Sequence, residues 1–214
     1  MKLSLIYDTI HIMKKKTNER GGGVKLIYGS VEKILGGEIS KKEKRAAERE
    51  AGRILLSVLL RKYCPSASLS DVATGEHGKP YLTTLPSVDF NITHSNGFVA
   101  CAISVGDGRI GIDAEPSDGS IPKPRQLEFA KRFFSRDELC SLESGRFTFA
   151  QLWTRKEARL KMTGEGFSSG AFSSLPPSNE SEIFFTTLSL DGFTVTVCSE
   201  SDAEIEVLRY VDGE

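Results

Sequence analysis

Only three histidines occur among the 214 residues, which rules out a His-rich metal site. The four cysteines, Cys64, Cys101, Cys140 and Cys198, are widely spaced and form no CxxC or CxxH pair, so neither a zinc cage nor a disulfide framework is indicated. Reduced thiols are the expectation. No apolar run approaches the roughly 20 residues of a membrane span, and the opening MKLSLIYDTIHIMKKK lacks the order of a secretory signal. The cytoplasm is therefore the default location. A net charge of -1 argues against a general nucleic-acid binder. What remains is a globular chain of one large domain or two small ones, long enough to bury a real core.

The chain divides into halves of similar length. Residues 1–28 hold two short strand candidates, KLSLIY and VKLIYG, with KKKTNERGGG as a flexible turn between them. Ser40 to Glu43 has capping-box spacing and predicts a helix running to about Arg61. Its second half, ILLSVLL, is apolar all round and should be buried, whereas Arg45, Arg49 and Arg53 form a cationic row. Arg53 stands where burial should begin. GEHGKPYL reads as a Gly-rich turn, VDFNITHS and FVACAISV as strands, and RIGIDAE as a strand returning onto FVACAISV in a hairpin. A loop rich in Pro, Ser and Gly spans Pro116 to Pro124. LEFAKRFF is helical, a second capping box occupies Ser135 to Glu138, and the helix with WTRKEARLK follows. Three alternating strands close the chain. Strand, helix and sheet thus occur in that order twice.

Chemistry concentrates at two places. In GIDAEP a strand points Asp113 and Glu115 to one side, about 7 Å apart, and Ile112 and Ala114 to the other. Two carboxylates on one face repel unless a cation lies between them. In WTRKEARLK, at about 100° per residue, Lys156 falls within the apolar stripe of Phe149, Leu152, Trp153 and Leu160, with Glu157 at its edge. A buried ammonium needs an anionic partner. If that helix packs on the GIDAE strand, Glu157 joins Asp113 and Glu115 as a third carboxylate, a set suited to a hard cation such as Mg2+ or Mn2+. Lys156 and Lys161 would then flank a phosphate.

Six stretches carry a resemblance: GKP at 78–80, FNITHS at 90–95, GIDAE at 111–115, AKRFFSRDEL at 130–139, W-x-x-K-E-A-x-x-K from Trp153 to Lys161, and GEGF at 164–167. In order and approximate spacing they resemble the signature motifs of 4'-phosphopantetheinyl transferases of the surfactin-synthetase (Sfp) type. The likeness covers roughly residues 45–170. Thr93 departs from it mildly, standing where the family usually has Ser.

The resemblance implies an α+β fold, a pseudo-twofold pair of similar subdomains with coenzyme A in the cleft between them. Residues 1–108 would form the nucleotide and 3'-phosphate side, and 109–214 the metal and catalytic side. The implied reaction moves the phosphopantetheine arm of coenzyme A onto a serine of an apo acyl or peptidyl carrier protein and releases 3',5'-ADP. By the same likeness Asp113, Glu115 and Glu157 are metal ligands, Glu157 is also a candidate base, and Glu138 is a second one. Lys161 and Lys156 would contact the pyrophosphate, Lys79 and Pro80 would line the nucleotide site, and Thr93, His94 and Arg53 would face the 3'-phosphate. A monomer is expected, because the smaller trimeric relatives build their cleft between subunits and this chain can supply both halves. Two other functions fit the same residues: a coenzyme A-binding protein without transferase activity, and a Mg-dependent hydrolase of the coenzyme A pyrophosphate. The intact Asp113, Glu115, Glu157 and Lys161 set argues against the first.

Overall fold

The computed structural model describes residues 23–117, 121–165 and 183–211, together with the backbone of 10–13. KLSLIY lies outside the described residues. The first strand, β1 (Ile10–Met13), is one that the sequence did not suggest. VKLIYG does form a strand, β2 (Val24–Ser30), followed by the short helix α1 (Val31–Leu35) and the long helix α2 (Lys44–Tyr63). Ser40 and Glu43 do interact through their side chains, but they precede the helix and do not cap its first turn. A 3-10 turn and a small ribbon of β3 (Val72–Thr74) and β4 (Pro80–Leu82) lead to the hairpin of β5 (Val88–Ser95) and β6 (Phe98–Val105). Then come β7 (Ile110–Pro116), α3 (Lys123–Phe133), α4 (Arg136–Glu143), α5 (Phe149–Thr163) and the strands β8 (Phe184–Leu190), β9 (Phe193–Ser199) and β10 (Ile205–Tyr210). Among the described residues no helix is long and apolar enough to cross a membrane.

The fold is α+β. One sheet has the order β1-β10-β2-β6-β5 and another β7-β9-β8. Their connectivity repeats: a strand (β2, β7), then helices, then a hairpin (β5 and β6, β8 and β9) whose second strand pairs antiparallel with the first. β7 therefore departs from the expected hairpin. It turns away from β6 at Gly106 and Gly108 and finds its partner in β9, more than seventy residues later. The reason is the sheet itself: β6 already has β2 on one side and β5 on the other, and has no free edge. β10 crosses back into the first sheet and pairs parallel with β2.

The two sheets pack face to face. Leu26, Tyr28, Ala100 and Ala102 meet Ile110, Ile112, Val195 and Val197 in one buried cluster. Outside the first sheet lies α2, whose Leu55 and Leu59 pack on Ile27, Phe90, Val99 and Cys101. Outside the second lies α5, with Ala158 and Met162 against Cys198. Strand alternation puts Ile110, Ile112 and Ala114 of β7 inward and Gly111, Asp113 and Glu115 toward α5. Gly111 is the point of closest approach, since a Cβ there would sit 1.9 Å from the Ala158 carbonyl oxygen and 2.4 Å from the Met162 nitrogen. The helix backbone rests on the strand backbone.

Replacing Gly111 by Ala should therefore force α5 off β7 and cost more than the roughly 1–3 kcal/mol typical of overpacking. Gly37→Ala is the control, because nothing lies within 4 Å of its Cβ position. Urea unfolding should show a large drop in midpoint for the first and almost none for the second.

Candidate active site

β5 and β7 belong to different sheets but lie side by side, and polar side chains of β5 bridge them. Asp89, Asn91, Thr93 and Ser95 alternate with Phe90, Ile92 and His94, so they share one face of the strand. Asp89 accepts the amide of Ile110 at 2.8 Å, and Asn91 that of Ile112 at 3.0 Å. Thr93 donates to Asp113 Oδ1 at 3.2 Å, and Ser95 to Glu115 Oε2 at 3.3 Å. The first two rungs satisfy the backbone edge of β7, as buried amides require. The last two hold the carboxylates in place.

α5 completes the site from the other side. A capping box of Thr148 and Gln151 starts it, and Gly164, at φ 74°, ends it. With Ala158 and Met162 seated on Gly111, the neighbouring Glu157 and Lys161 come over Asp113. Lys161 Nζ lies 2.5 Å from Asp113 Oδ1, 3.3 Å from Thr93 Oγ1 and 3.9 Å from Glu157 Oε2. Burial and the Asp113 charge push the Glu115 carboxyl up to about 7. Burial and the charges of Asp113 and Glu115 push Glu157 up to about 8, against the opposing pull of Lys161 and a hydrogen bond with Trp153. Burial works against the charged form of Lys161, but Asp113 and Glu157 outweigh it and its pKa is raised. Three carboxylates thus share one ammonium.

As they stand, no three His, Cys, Asp or Glu side chains among the described residues meet closely enough to hold an ion. The donor set nevertheless fits one. Asp113 Oδ2 is buried without a hydrogen-bond partner among the described residues, and burial, with the neighbouring carboxylates second, raises Glu115 and Glu157, so that a bound cation would favour their ionised form. A hard divalent cation answers both needs.

Beside this cluster opens a cleft of about 270 Å³, lined by Lys79, Pro80, Asn91, Glu157, Lys161 and Gly164 among others. Lys79 is more than a wall. Its ammonium donates to Asp89 Oδ2 at 2.6 Å, to the Ile110 carbonyl at 3.1 Å and to the Met162 carbonyl at 3.0 Å, tying β5, β7 and the end of α5 together.

A family model described as "4'-phosphopantetheinyl transferase superfamily" matches residues 109–206. The 4'-phosphopantetheinyl transferase psf-1 of Bacillus pumilus is 33% identical over 205 residues, which cover 82% of this chain and 85% of that protein. The chain belongs to this superfamily, in its surfactin-synthetase type. The 4'-phosphopantetheinyl transferase Sfp of Bacillus subtilis (strain 168) is 34% identical over 68% of this chain and 70% of that protein, and AcpT of Salmonella typhi 30% identical over 72% and 77%.

Within this transferase the residues singled out in the sequence separate into groups. Asp113, Glu115, Glu157, Lys161 and Thr93 form one cluster. Thr93 and His94 are neighbours on a strand and so point to opposite faces: Thr93 turns to the carboxylates and His94 to α2, where its Nδ1 lies 3.2 Å from Glu48 Oε2. Thr93 is thus turned away from any anion held by His94. Arg53 departs from expectation, being 60% exposed with Glu50 Oε2 at 3.9 Å. Lys156 is only 2% exposed, and its anionic partner is Glu138, whose Oε2 lies 2.9 Å away and also accepts the amide of Ser135 in the α4 capping box. Lys156 and Glu138 therefore hold each other, and neither lines the cleft. GEGF falls partly outside the described residues. Asp89 and Asn91, which hold the edge of β7, and Glu48, which meets His94, are positions that the sequence reading missed; the period-two polar face of VDFNITHS was the available signal for the first two.

The raised carboxyls carry a sign. The folded protein keeps protons on Glu115 and Glu157 that the unfolded chain releases near pH 4.5, so stability should fall as pH rises from there toward 8 and then level off. Glu157→Gln removes one of the charges and should flatten that fall, stabilising the metal-free protein at pH 8 by about 1–3 kcal/mol. Urea unfolding at pH 5 and pH 8 for both proteins measures it.

Proposed function

We infer that this chain moves the 4'-phosphopantetheine arm of coenzyme A onto a serine hydroxyl of an apo acyl or peptidyl carrier protein, releasing 3',5'-ADP. Membership of the family supports the transfer. The observation that carries the residue assignment is the convergence of Asp113, Glu115, Glu157 and Lys161 beside a cleft floored by β5.

Asp113, Glu115 and Glu157 are the residues that would hold a divalent cation, Mg2+ or Mn2+, which when bound supplies charge neutralisation at the pyrophosphate. The serine oxygen forms a bond to the phosphorus bearing the pantetheine arm, while the bond from that phosphorus to the bridging oxygen breaks and its electron pair leaves with 3',5'-ADP. Glu157 is the candidate to take the serine proton, because its raised carboxyl is matched to neutral pH. Glu138 suits that role less, with its Oε2 occupied by Ser135 and Lys156. Lys161 would turn its ammonium from Asp113 to the pyrophosphate, where negative charge develops. Lys79 and Pro80 form the nucleotide wall, and His94 faces the 3'-phosphate. The 1–108 half then serves the nucleotide side and the 109–214 half the metal side, with β10 as the strand that crosses between them. Cytoplasmic location and a monomeric state complete the proposal, and an obligate trimer in sedimentation would contradict the latter.

Asp113→Ala should lower transfer by about 100- to 1,000-fold without loss of fold. Incubation with coenzyme A, Mg2+ and a panel of apo carrier proteins, read by intact mass, tests it directly. An unmodified carrier with coenzyme A intact would indicate a binding protein, and coenzyme A consumed without carrier gain a hydrolase. A fully active Asp113→Ala protein would remove the carboxylate site.

Lys161→Ala should impair coenzyme A and 3'-dephospho-coenzyme A about equally and mainly in kcat, since both carry the pyrophosphate. Single-turnover kinetics with the two substrates would show it.

A further inference from the structure

Glu48 is a charged residue in an apolar setting. It sits in the second turn of α2, only 5% exposed, with the carboxylate 3.2 Å from Nδ1 of the partly exposed His94. The approach of helix to strand makes this contact. Gly52 lies one turn beyond Glu48 on the same face of α2, and a Cβ there would come within 2.7 Å of Ile92 Cγ2. Ile92 and His94 in turn share one face of β5. The missing side chain at Gly52 lets α2 settle on Ile92, and that brings Glu48 within reach of His94.

A carboxylate only accepts hydrogen bonds. The nearness of Glu48 Oε2 favours the proton on Nδ1 over Nε2 in the neutral ring, in the way that second-layer carboxylates orient histidines that bind metals. In the neutral ring with Nδ1–H, Nε2 is an acceptor and offers a phosphate nothing. A phosphate at Nε2 needs the doubly protonated ring, whose positive charge the adjoining carboxylate balances.

We propose that Glu48 is a positioning residue for the anion subsite, orienting His94 and balancing its imidazolium so that Nε2–H is presented to the 3'-phosphate of coenzyme A. This rests on the reading above that His94 faces that phosphate. Arg53 takes no part in it.

The test compares the affinities of coenzyme A and 3'-dephospho-coenzyme A by calorimetry, which needs no turnover, for the full chain and its Glu48→Ala, Glu48→Gln, His94→Ala and Arg53→Ala variants. Nitrogen-15 NMR of the histidine rings runs alongside, with His94→Ala to assign the signal. The wild type should prefer coenzyme A, and His94→Ala should lose about tenfold or more of that preference. Glu48→Ala should lose a comparable share and release the Nδ1–H signature. Glu48→Gln should keep that signature, because its amide oxygen still accepts the proton, yet lose preference because the charge is gone. Arg53→Ala should keep both. An unchanged preference in Glu48→Gln, or an unchanged ring signature in Glu48→Ala, overturns the proposal, and if Glu48→Ala does not fold, the glutamine variant decides alone. An unchanged preference in His94→Ala overturns the phosphate reading, and this proposal with it. Normal ligand preferences in a protein that modifies no carrier would instead overturn only the transfer function.

Discussion

The contact on which the site depends involves no functional group. It is the seating of the α5 backbone on Gly111, where hydrogen is the largest substituent that fits. The approach of Glu157 and Lys161 to Asp113 follows from it. A helix held one side chain further away would leave Glu157 and Lys161 short of Asp113, and the three carboxylates would face solvent as unrelated surface charges. Long charged side chains are normally poor at fixing geometry because each carries much rotamer freedom. Here the freedom is removed by backbone packing from one side and by the β5 hydroxyls from the other, so the cluster is preorganised by the two sheets and the helix together.

That arrangement explains how a protein can keep so much like charge in one place. Lys161 is the internal counter-ion, Thr93 shares Asp113 Oδ1 with it, and Ser95 supports Glu115. Burial first, and the remaining repulsion second, show in the raised carboxyl pKa values. Electrostatic strain of this kind is tolerable only inside a well-packed frame, and the frame is the double layer of Leu26, Tyr28, Ile112 and Val197 beneath it.

Much of this was legible in the sequence. The motifs around GKP, GIDAE and WTRKEARLK could be read because their residue types and order match a family signature, and the alternation of GIDAE gave the common face of Asp113 and Glu115. The apolar half of α2 was equally plain. Partnerships were harder. The edge along which β7 pairs is decided by which edges remain free once β6 is enclosed, a property of the whole sheet that no local turn encodes. Lys156 announced that it needed an anion but did not say which. Glu138 supplies one from a preceding helix. Glu48 was concealed among the alternating charges of EREAGR, where one buried glutamate looks like its solvated neighbours.

The return of β10 to the first sheet has a bearing on how the molecule is made. Val24 to Tyr28 find their parallel partners only in Ile205 to Arg209, at the opposite end of the described chain. The first sheet cannot be finished until that late strand has emerged from the ribosome, however early its own helix and hairpin are ready. Until then β2 offers an open edge, and such edges invite pairing with other chains. The first sheet is therefore not a folding unit that the N-terminal half completes by itself. The strand that completes it is made after both GIDAE and WTRKEARLK.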